Sequence, residues 1–418
     1  MERKWLYTTL MAVAVLLVLF AAPAGASHIN VQCPGDDIED GGNGNAIQDG
    51  GEVWPANQKC MHLTSGDGYV TMADGTVMYM FGFADATGWD PSTVMTEGIL
   101  AGAYPGPIIA LDEDDVFYLS LSNVGMLVRP DLFDPHTVHW HGFPQASSVF
   151  DGLPESGLSI NMGATLTYYY NVKDPGTYMY HCHVEATEHM QMGMLANLYV
   201  RPKQNKLANG TVLNGGFVHT TGNTYVYNDG DGSTQYDVEV PIQMSSFDRA
   251  FHEASESVQP LPFALMRDDY AMLNGRGYPD TVAVGSLPAP AENGGKVSQF
   301  EDALVVAAPG QKVLLRISNI SITKYFTLQS LGVPMTVVGR DARLLRGPGG
   351  ENLYYDTNSV TLGGGETNDV IVEIPSDAQV GDTYFLYTSN LNYLSNGEEE
   401  FGGMMTEIRV SASAMMLN

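Results

Sequence analysis

The chain has 418 residues, with 48 Asp and Glu against 19 Lys and Arg, and a formal net charge of −29. A field of that sign repels nucleic acid and anionic membrane surfaces, which excludes both as partners. The length calls for two domains, and plentiful Gly and Tyr with few long helical patterns point to a β-rich chain with many turns.

The N-terminus carries Glu2-Arg3-Lys4, an apolar run from Met11 to Ala22, and then Ala24-Gly25-Ala26. This is the layout of a secretory signal peptide over residues 1–26, cleaved after Ala26, with an apolar run that is short for a membrane span. The expected location is periplasmic, cell-surface or secreted. An acidic, Asp/Gly-rich segment follows over residues 27–62. Export permits a disulfide. The metal chemistry described below claims Cys182, which leaves Cys33 and Cys60 to pair. The stretch they bracket, Asp36 to Glu52, offers ligand types suited to Ca²⁺ and reads equally well as an acidic solvated loop stapled by its disulfide.

Residues 63–203 read as short alternating strands. Tyr104-Pro-Gly-Pro107 turns into Ile108-Ile109, and Val116 to Asn123 and Thr165 to Asn171 are strands. Two histidine-rich motifs lie among them. The first is Pro135-His136-Thr-Val-His139-Trp-His141-Gly142; the second is Tyr180-His181-Cys182-His183, followed by His189 and Met194. The aromatic alternation of Gly176 to Tyr180 carries the second motif in on a strand, where successive side chains point to opposite faces. His181 and His183 then share one face and Cys182 takes the other. In the first motif His139 and His141 share a face that His136 does not. The simplest assembly gathers His136, Cys182, His189 and Met194 at one site and His139, His141, His181 and His183 at a second. Two imidazoles, a thiolate and a weak thioether are the composition of an electron-transfer copper, and an imidazole-only copper site keeps open positions for a small molecule.

A polar, Gly- and Asn-rich linker spans residues 204–232, and residues 233–418 form a second strand-rich region. The two regions repeat one pattern. Leu121-Ser-Asn-Val124 matches Ile317-Ser-Asn-Ile320, and Thr177-Tyr-Met-Tyr180 matches Thr383-Tyr-Phe-Leu386. Read across, His136, His139 and His141 become Phe326, Gln329 and Leu331. His181, Cys182 and His183 become Tyr387, Thr388 and Ser389. The second region is expected to be blank for metal.

The two motifs together resemble those of the multicopper oxidase family, His-x-x-His-x-His and His-Cys-His followed by His and Met. Tyr104 to Pro107 and Phe150-Asp-Gly-Leu-Pro154 resemble its first domain; Asn274 to Asp280 and Leu331 to Val338 resemble its copper-free domain. The resemblance implies an all-β chain of two tandem cupredoxin-like Greek-key β-sandwich domains. It implies a type 1 copper at His136, Cys182, His189 and Met194. It also implies half of a type 2/type 3 cluster at His139, His141, His181 and His183, the catalytic set. The activity it implies is an oxidoreductase that takes electrons from a small molecule, a metal ion or a redox protein. These pass through His-Cys-His to the imidazole site, with dioxygen as acceptor. Two-domain relatives imply a homo-oligomer, such as a trimer.

Two departures qualify the resemblance. The step from Cys182 to His189 is two residues longer than in typical oxidases, and no second pair of His-x-His motifs is present. A smaller copper centre, completion by a partner chain, or electron transfer and copper binding without oxygen reduction all stay open. Copper nitrite reductases carry Asp where this chain has His139, and no His after their Cys, which weighs against nitrite as substrate.

Overall fold

The computed structural model describes residues 31–37, 42–49, 51–397 and 399–412. The signal peptide expected over residues 1–26 lies outside the described residues. Among the described residues no helix is long and apolar enough to cross a membrane.

Eight strands come first: β1 (Gln58–Thr71), β2 (Val77–Asp85), β3 (Ile109–Asp112), β4 (Val116–Gly125), β5 (His139–His141), β6 (Thr165–Asn171), β7 (Gly176–His181) and β8 (Leu195–Arg201). They form two four-stranded sheets, ordered β2-β1-β4-β6 and β3-β8-β7-β5. A short ribbon, β9 (Thr224–Tyr225) with β10 (Gln235–Tyr236), leads into the second half. One large sheet there contains β11 (Val238–Phe247), β12 (Tyr270–Leu273), β14 (Lys312–Asn319), β16 (Met335–Arg340), β17 (Arg343–Leu344), β18 (Tyr355–Thr357) and β20 (Thr367–Glu373). Facing it is a five-stranded sheet of β13 (Val305–Ala307), β15 (Phe326–Leu331), β19 (Ser359–Leu362), β21 (Thr383–Thr388) and β22 (Met405–Val410). Each half closes its own apolar core, the first around Phe83, Phe117, Trp140 and Tyr170 and the second around Ile317, Leu328, Val370 and Leu386.

The internal repeat is realised in the hydrogen bonding. β1 runs parallel to β4 and β3 to β8; their counterparts β11 with β14 and β13 with β22 are parallel as well. Asn123 donates from its amide to the carbonyls of Asp134 and Ile160 and accepts from Gly125 N. Asn319 repeats this with Lys324, Leu362 and Ser321. Both asparagines are buried, so each needs this full set of partners to avoid an orphaned amide. His139 lies opposite His181 in the β5–β7 register, as Gln329 lies opposite Tyr387 between β15 and β21.

Strand β1 begins at Gln58 and so includes Cys60, which is bonded to Cys33. Within the bracketed loop, buried Asp36 accepts from the backbone N–H groups of Asn43, Gly44 and Ala46. Asp49 accepts from the side-chain amides of Asn43 and Asn45. The loop spends these carboxylates on its own turns.

The two halves meet through an apolar cluster that includes Tyr104, Met179, Phe247 and Ile320, and at β7 through charge buried with its partners. Arg316 on β14 donates from Nε to Glu239 on β11 at 2.7 Å and from Nη1 to Asp369 on β20 at 3.3 Å. The same Nη1 reaches Thr177 of β7 at 3.1 Å, and Thr177 in turn donates to Asp369. Tyr227 also donates to Asp369, and the Arg316 guanidinium lies 4.8 Å from the centre of the Tyr199 ring. Arg316 and Asp369 are fully buried. Removing one member of such a set leaves the others charged or unpaired away from water. Asp369→Ala is therefore expected to destabilise the chain by about 3–5 kcal/mol, read from urea denaturation curves.

Candidate metal centre

The first cluster lies inside the core of the first half. Cys182, just past the end of β7, places Sγ 3.2 Å from His189 Nδ1 and 3.8 Å from His136 Nδ1. All three residues are buried, and their ligand atoms lie within 4.8 Å of one another. His136 is held by a two-way backbone bridge to Ile160. The long step from Cys182 to His189 is wound into the helix Ala186–Gln191, which returns His189 to the sulfur. Met194 closes the loop: its carbonyl accepts from Cys182 N at 3.1 Å, its own N–H donates to His189 O, and it is fully buried. Thr137 N–H points at Sγ from 3.5 Å.

Burial opposes ionisation of Cys182, but the His189 and His136 imidazoles facing it outweigh that and hold the thiol well below its ordinary range. Burial likewise opposes charging His189, and the Cys182 sulfur with Asp134 reverses this and raises it. The arrangement therefore favours a thiolate, the form that ligates metal. Soft sulfur with two imidazoles fits copper, and the Met194 backbone is bonded to Cys182 and His189 beside them.

The second cluster is built on β5 and β7. Trp140 turns into the core, stacked on Tyr170 with ring centroids 3.8 Å apart, so its neighbours His139 and His141 must turn outward. Antiparallel pairing sets His139 against His181. His139 Nδ1 donates to Asp151 O at 2.6 Å, and His181 Nδ1 donates to Cys182 O at 2.9 Å. Each partner is a carbonyl, so each Nδ1 carries the proton and leaves Nε2 with a free lone pair. His141 Nδ1 lies 3.3 Å from His181 Nε2. One ligand atom each from His139, His141 and His181 falls within 4.8 Å of the others. Burial holds all three imidazoles below their ordinary value, His181 down to about 3, which keeps them neutral and ready to ligate. His183 is beside them, its ring 5.2 Å from that of His139 and 5.6 Å from that of His181. The four imidazoles line a cavity of about 440 Å³ whose far wall is the second half, Ile320 to Tyr325 with Gly364 and Gly365.

Of the eight residues named by the motifs, His136, Cys182 and His189 converge in one cluster and His139, His141 and His181 in the other, while His183 lines the cavity of the second and Met194 joins the first through its backbone bonds. Other residues were not foreseen. Asp134 Oδ2 lies 3.8 Å from His189 Nε2, a charge contact too long for a hydrogen bond, and the ligand atoms of Asp134, Glu185 and His189 lie within 4.8 Å of one another. Glu185 sits at φ 43°, an uncommon conformation for a bulky residue. Asp134 is adjacent to the Pro135-His136 motif, a local signal that could have found it. Asp151 lies within the Phe150 to Pro154 stretch, but its hold on His139 is a tertiary fact. Gly365 has no local signal. It sits at φ +91°, and a Cβ there would lie 2.7 Å from His141 Nε2.

The chain matches two multicopper oxidase families, over residues 87–205 and 251–410, together most of its length. It is 38% identical over 110 residues to Laccase-1 of Emericella nidulans, a stretch that is 25% of this chain and 16% of that one. The chain spans less than half the length of the curated relatives it matches. Among solved structures it is similar to the multicopper oxidase mgLAC, with a TM-score of 0.60 at 20% identity over 86% of this chain and 88% of that one. The blue copper oxidase of Nitrosomonas europaea is similar with a TM-score of 0.58 at 20% identity, over 84% and 86% of the two chains. These neighbours share the fold, two tandem cupredoxin-like β-sandwiches.

Gly365→Ala should push His141 out of the second cluster and leave the first untouched. Titration with copper(II) is expected to lose the electron paramagnetic resonance signal of an all-imidazole site while the thiolate-to-copper absorption band is unchanged.

Proposed function

Because the chain belongs to the multicopper oxidase family, whose cofactor is copper, we propose that it is an exported copper oxidoreductase. It takes electrons at a type 1 copper held by His136, Cys182, His189 and Met194 and delivers them to dioxygen at the imidazole cluster. One observation carries this reading: the tripeptide His181-Cys182-His183 belongs to both clusters. Cys182 Sγ sits among His136 and His189, and the flanking His181 converges with His139 and His141. An electron leaving the sulfur reaches either flanking imidazole through covalent backbone, and the His181 Nδ1–H···O bond to Cys182 adds a second short connection.

Copper, when bound, supplies one-electron redox chemistry at the thiolate and a Lewis-acidic open position at the imidazoles. The protein's residues supply the rest. Burial of Cys182 excludes water from the sulfur, and the Thr137 N–H aimed at it withdraws charge and bears on its potential. Asp151 and the Cys182 carbonyl hold His139 and His181 in the tautomer that faces the cavity. Export rests on the N-terminal segment and on the Cys33–Cys60 disulfide, which belongs to an oxidising compartment.

The donor's chemistry follows from the edge of His189. Asp134 and Glu185 surround its Nε2, Glu188 stands close enough to feel both carboxylates, and the whole chain is strongly acidic. A cationic donor such as a ferrous or cuprous ion, or a protonated amine, is favoured there over an anion.

Copper-loaded protein is expected to show an intense thiolate-to-copper absorption band and donor-driven oxygen uptake. Cys182→Ser should remove the band and bring uptake to background. Absence of the band in the unmodified chain would sink the proposal. The donor reading has its own check. Asp134→Asn combined with Glu185→Gln should raise KM for ferrous ion about tenfold and leave KM for ferrocyanide unchanged or lower. Equal effects on both donors would rule out an electrostatic role.

A further inference from the structure

We propose that the imidazole cluster holds a single copper ion, ligated by His139, His141 and His181 and enclosed within one chain, so that dioxygen is reduced by two electrons to hydrogen peroxide. This rests on the oxidoreductase reading above and replaces the three-ion cluster that the family resemblance implies.

The first argument is the number of converging donors. Three imidazole nitrogens meet within 4.8 Å, and His183 is not among them. Catalytic metal sites keep about three protein ligands and one open position. Three nitrogens suit one ion, and His183, the one imidazole left over in the cavity, is too few alone to hold a second.

The second argument is the wall opposite. The register of β15 with β21 puts Gln329 and Tyr387 where β5 and β7 carry His139 and His181. The second half meets the cavity with Ile320 to Tyr325, Gly364 and Gly365, which contain no imidazole, carboxylate or thiol. Its hydroxyls at Ser321 and Thr323 are turned to Lys324 O and Asp268. Lys324 brings a positive charge to the same wall, which opposes additional cations and suits an anionic, partly reduced dioxygen. The close approach of Gly365 to His141 shows that this wall is seated on the cluster.

The third argument concerns a neighbouring copy. Among the described residues every histidine outside the two clusters is buried. His62 is bonded to Ser122, and both ring nitrogens of His252 are taken by the carbonyls of Tyr79 and Gln191. His219 lies fully buried beside Tyr225. A second copy has no exposed imidazole among these to complete a larger centre.

With one copper at Cys182 and one at the imidazoles, the chain stores two electrons. The reaction it balances is O2 + 2 e⁻ + 2 H⁺ → H2O2. Two one-electron oxidations of the donor at His189 supply the electrons, and solvent reaching the open cavity supplies the protons.

The test is a copper count on the desalted, copper-saturated full chain, paired with electron paramagnetic resonance. About two coppers per chain, both visible, are expected. About four per chain with a silent, coupled pair would overturn the proposal. Cys182→Ser should keep about one copper, with an imidazole-type signal and no visible band. His183→Ala should keep about two, and His181→Ala about one with the visible band intact. Loss of copper on His183→Ala would overturn the assignment even if the His181 variant fails to fold. During turnover, one peroxide per dioxygen consumed is expected, and four donor equivalents per dioxygen would overturn it. Failure of the oxidoreductase reading is distinguishable, because it removes the visible band from the unmodified chain whatever the copper count.

Discussion

Alternation of side chains along one strand governs the chemistry of this protein. At the end of β7 three consecutive residues, His181, Cys182 and His183, cannot all face the same way. The sulfur turns into the core beside His136 and His189, while His181 turns toward the cavity. The same rule acts on β5, where burying Trp140 against Tyr170 requires His139 and His141 to face out. Two clusters of different chemistry thus stand back to back without a dedicated spacer. A one-residue slip of either strand would exchange their faces and destroy both.

That dependence explains why β7 is so firmly held. It is hydrogen-bonded on both edges, to β5 and β8, and it is pinned to the second half through Thr177, Asp369 and Arg316. A second pin comes from Thr367, which donates to the Thr177 carbonyl, and a third joins Ser318 to Asn197 on the adjacent strand. Buried charge of this kind is expensive to desolvate and gains little net stability over an apolar packing. Its use here is specificity of registration: the observed placement of the halves gives Arg316 Nε and Nη1 and the Thr177 hydroxyl their partners. That placement sets Gly365 against His141 and makes the second half, whose residues on the cavity wall include no imidazole, carboxylate or thiol, the lid of the imidazole cavity.

The sequence was informative wherever function depends on local periodicity. The period-two pattern of His139-Trp-His141 and His181-Cys-His183 sorted five candidate ligands onto two faces. The internal repeat exposed Gln329 and Tyr387 at positions equivalent to His139 and His181, an equivalence the strand registers reproduce. Cys33 and Cys60 paired as the assignment of Cys182 to the metal chemistry left them to. Less was legible at the rims. Asp134 and Glu185 meet beside His189 because a helix between Cys182 and Met194 folds back across the first motif, and no spacing rule encodes that encounter. The Asp36 and Asp49 carboxylates of the acidic loop, read from the sequence as ligand types for a cation or as part of a solvated loop, are turned onto the loop's own donors.

The sequence by itself determined the class of the fold, the two kinds of candidate ligand set and the absence of the histidine motifs from the second half. These follow from residue identity and from the side-chain alternation that any strand obeys. Only the tertiary structure decided how many nitrogens converge, because convergence depends on the antiparallel register of β5 against β7 and on hydrogen bonds that His139 and His181 donate to the carbonyls of Asp151 and Cys182. It also decided what closes the site. Gly365 lies 224 positions from His141 in the chain, and their contact exists because apolar packing and buried polar bonds, those at β7 among them, hold the two halves together.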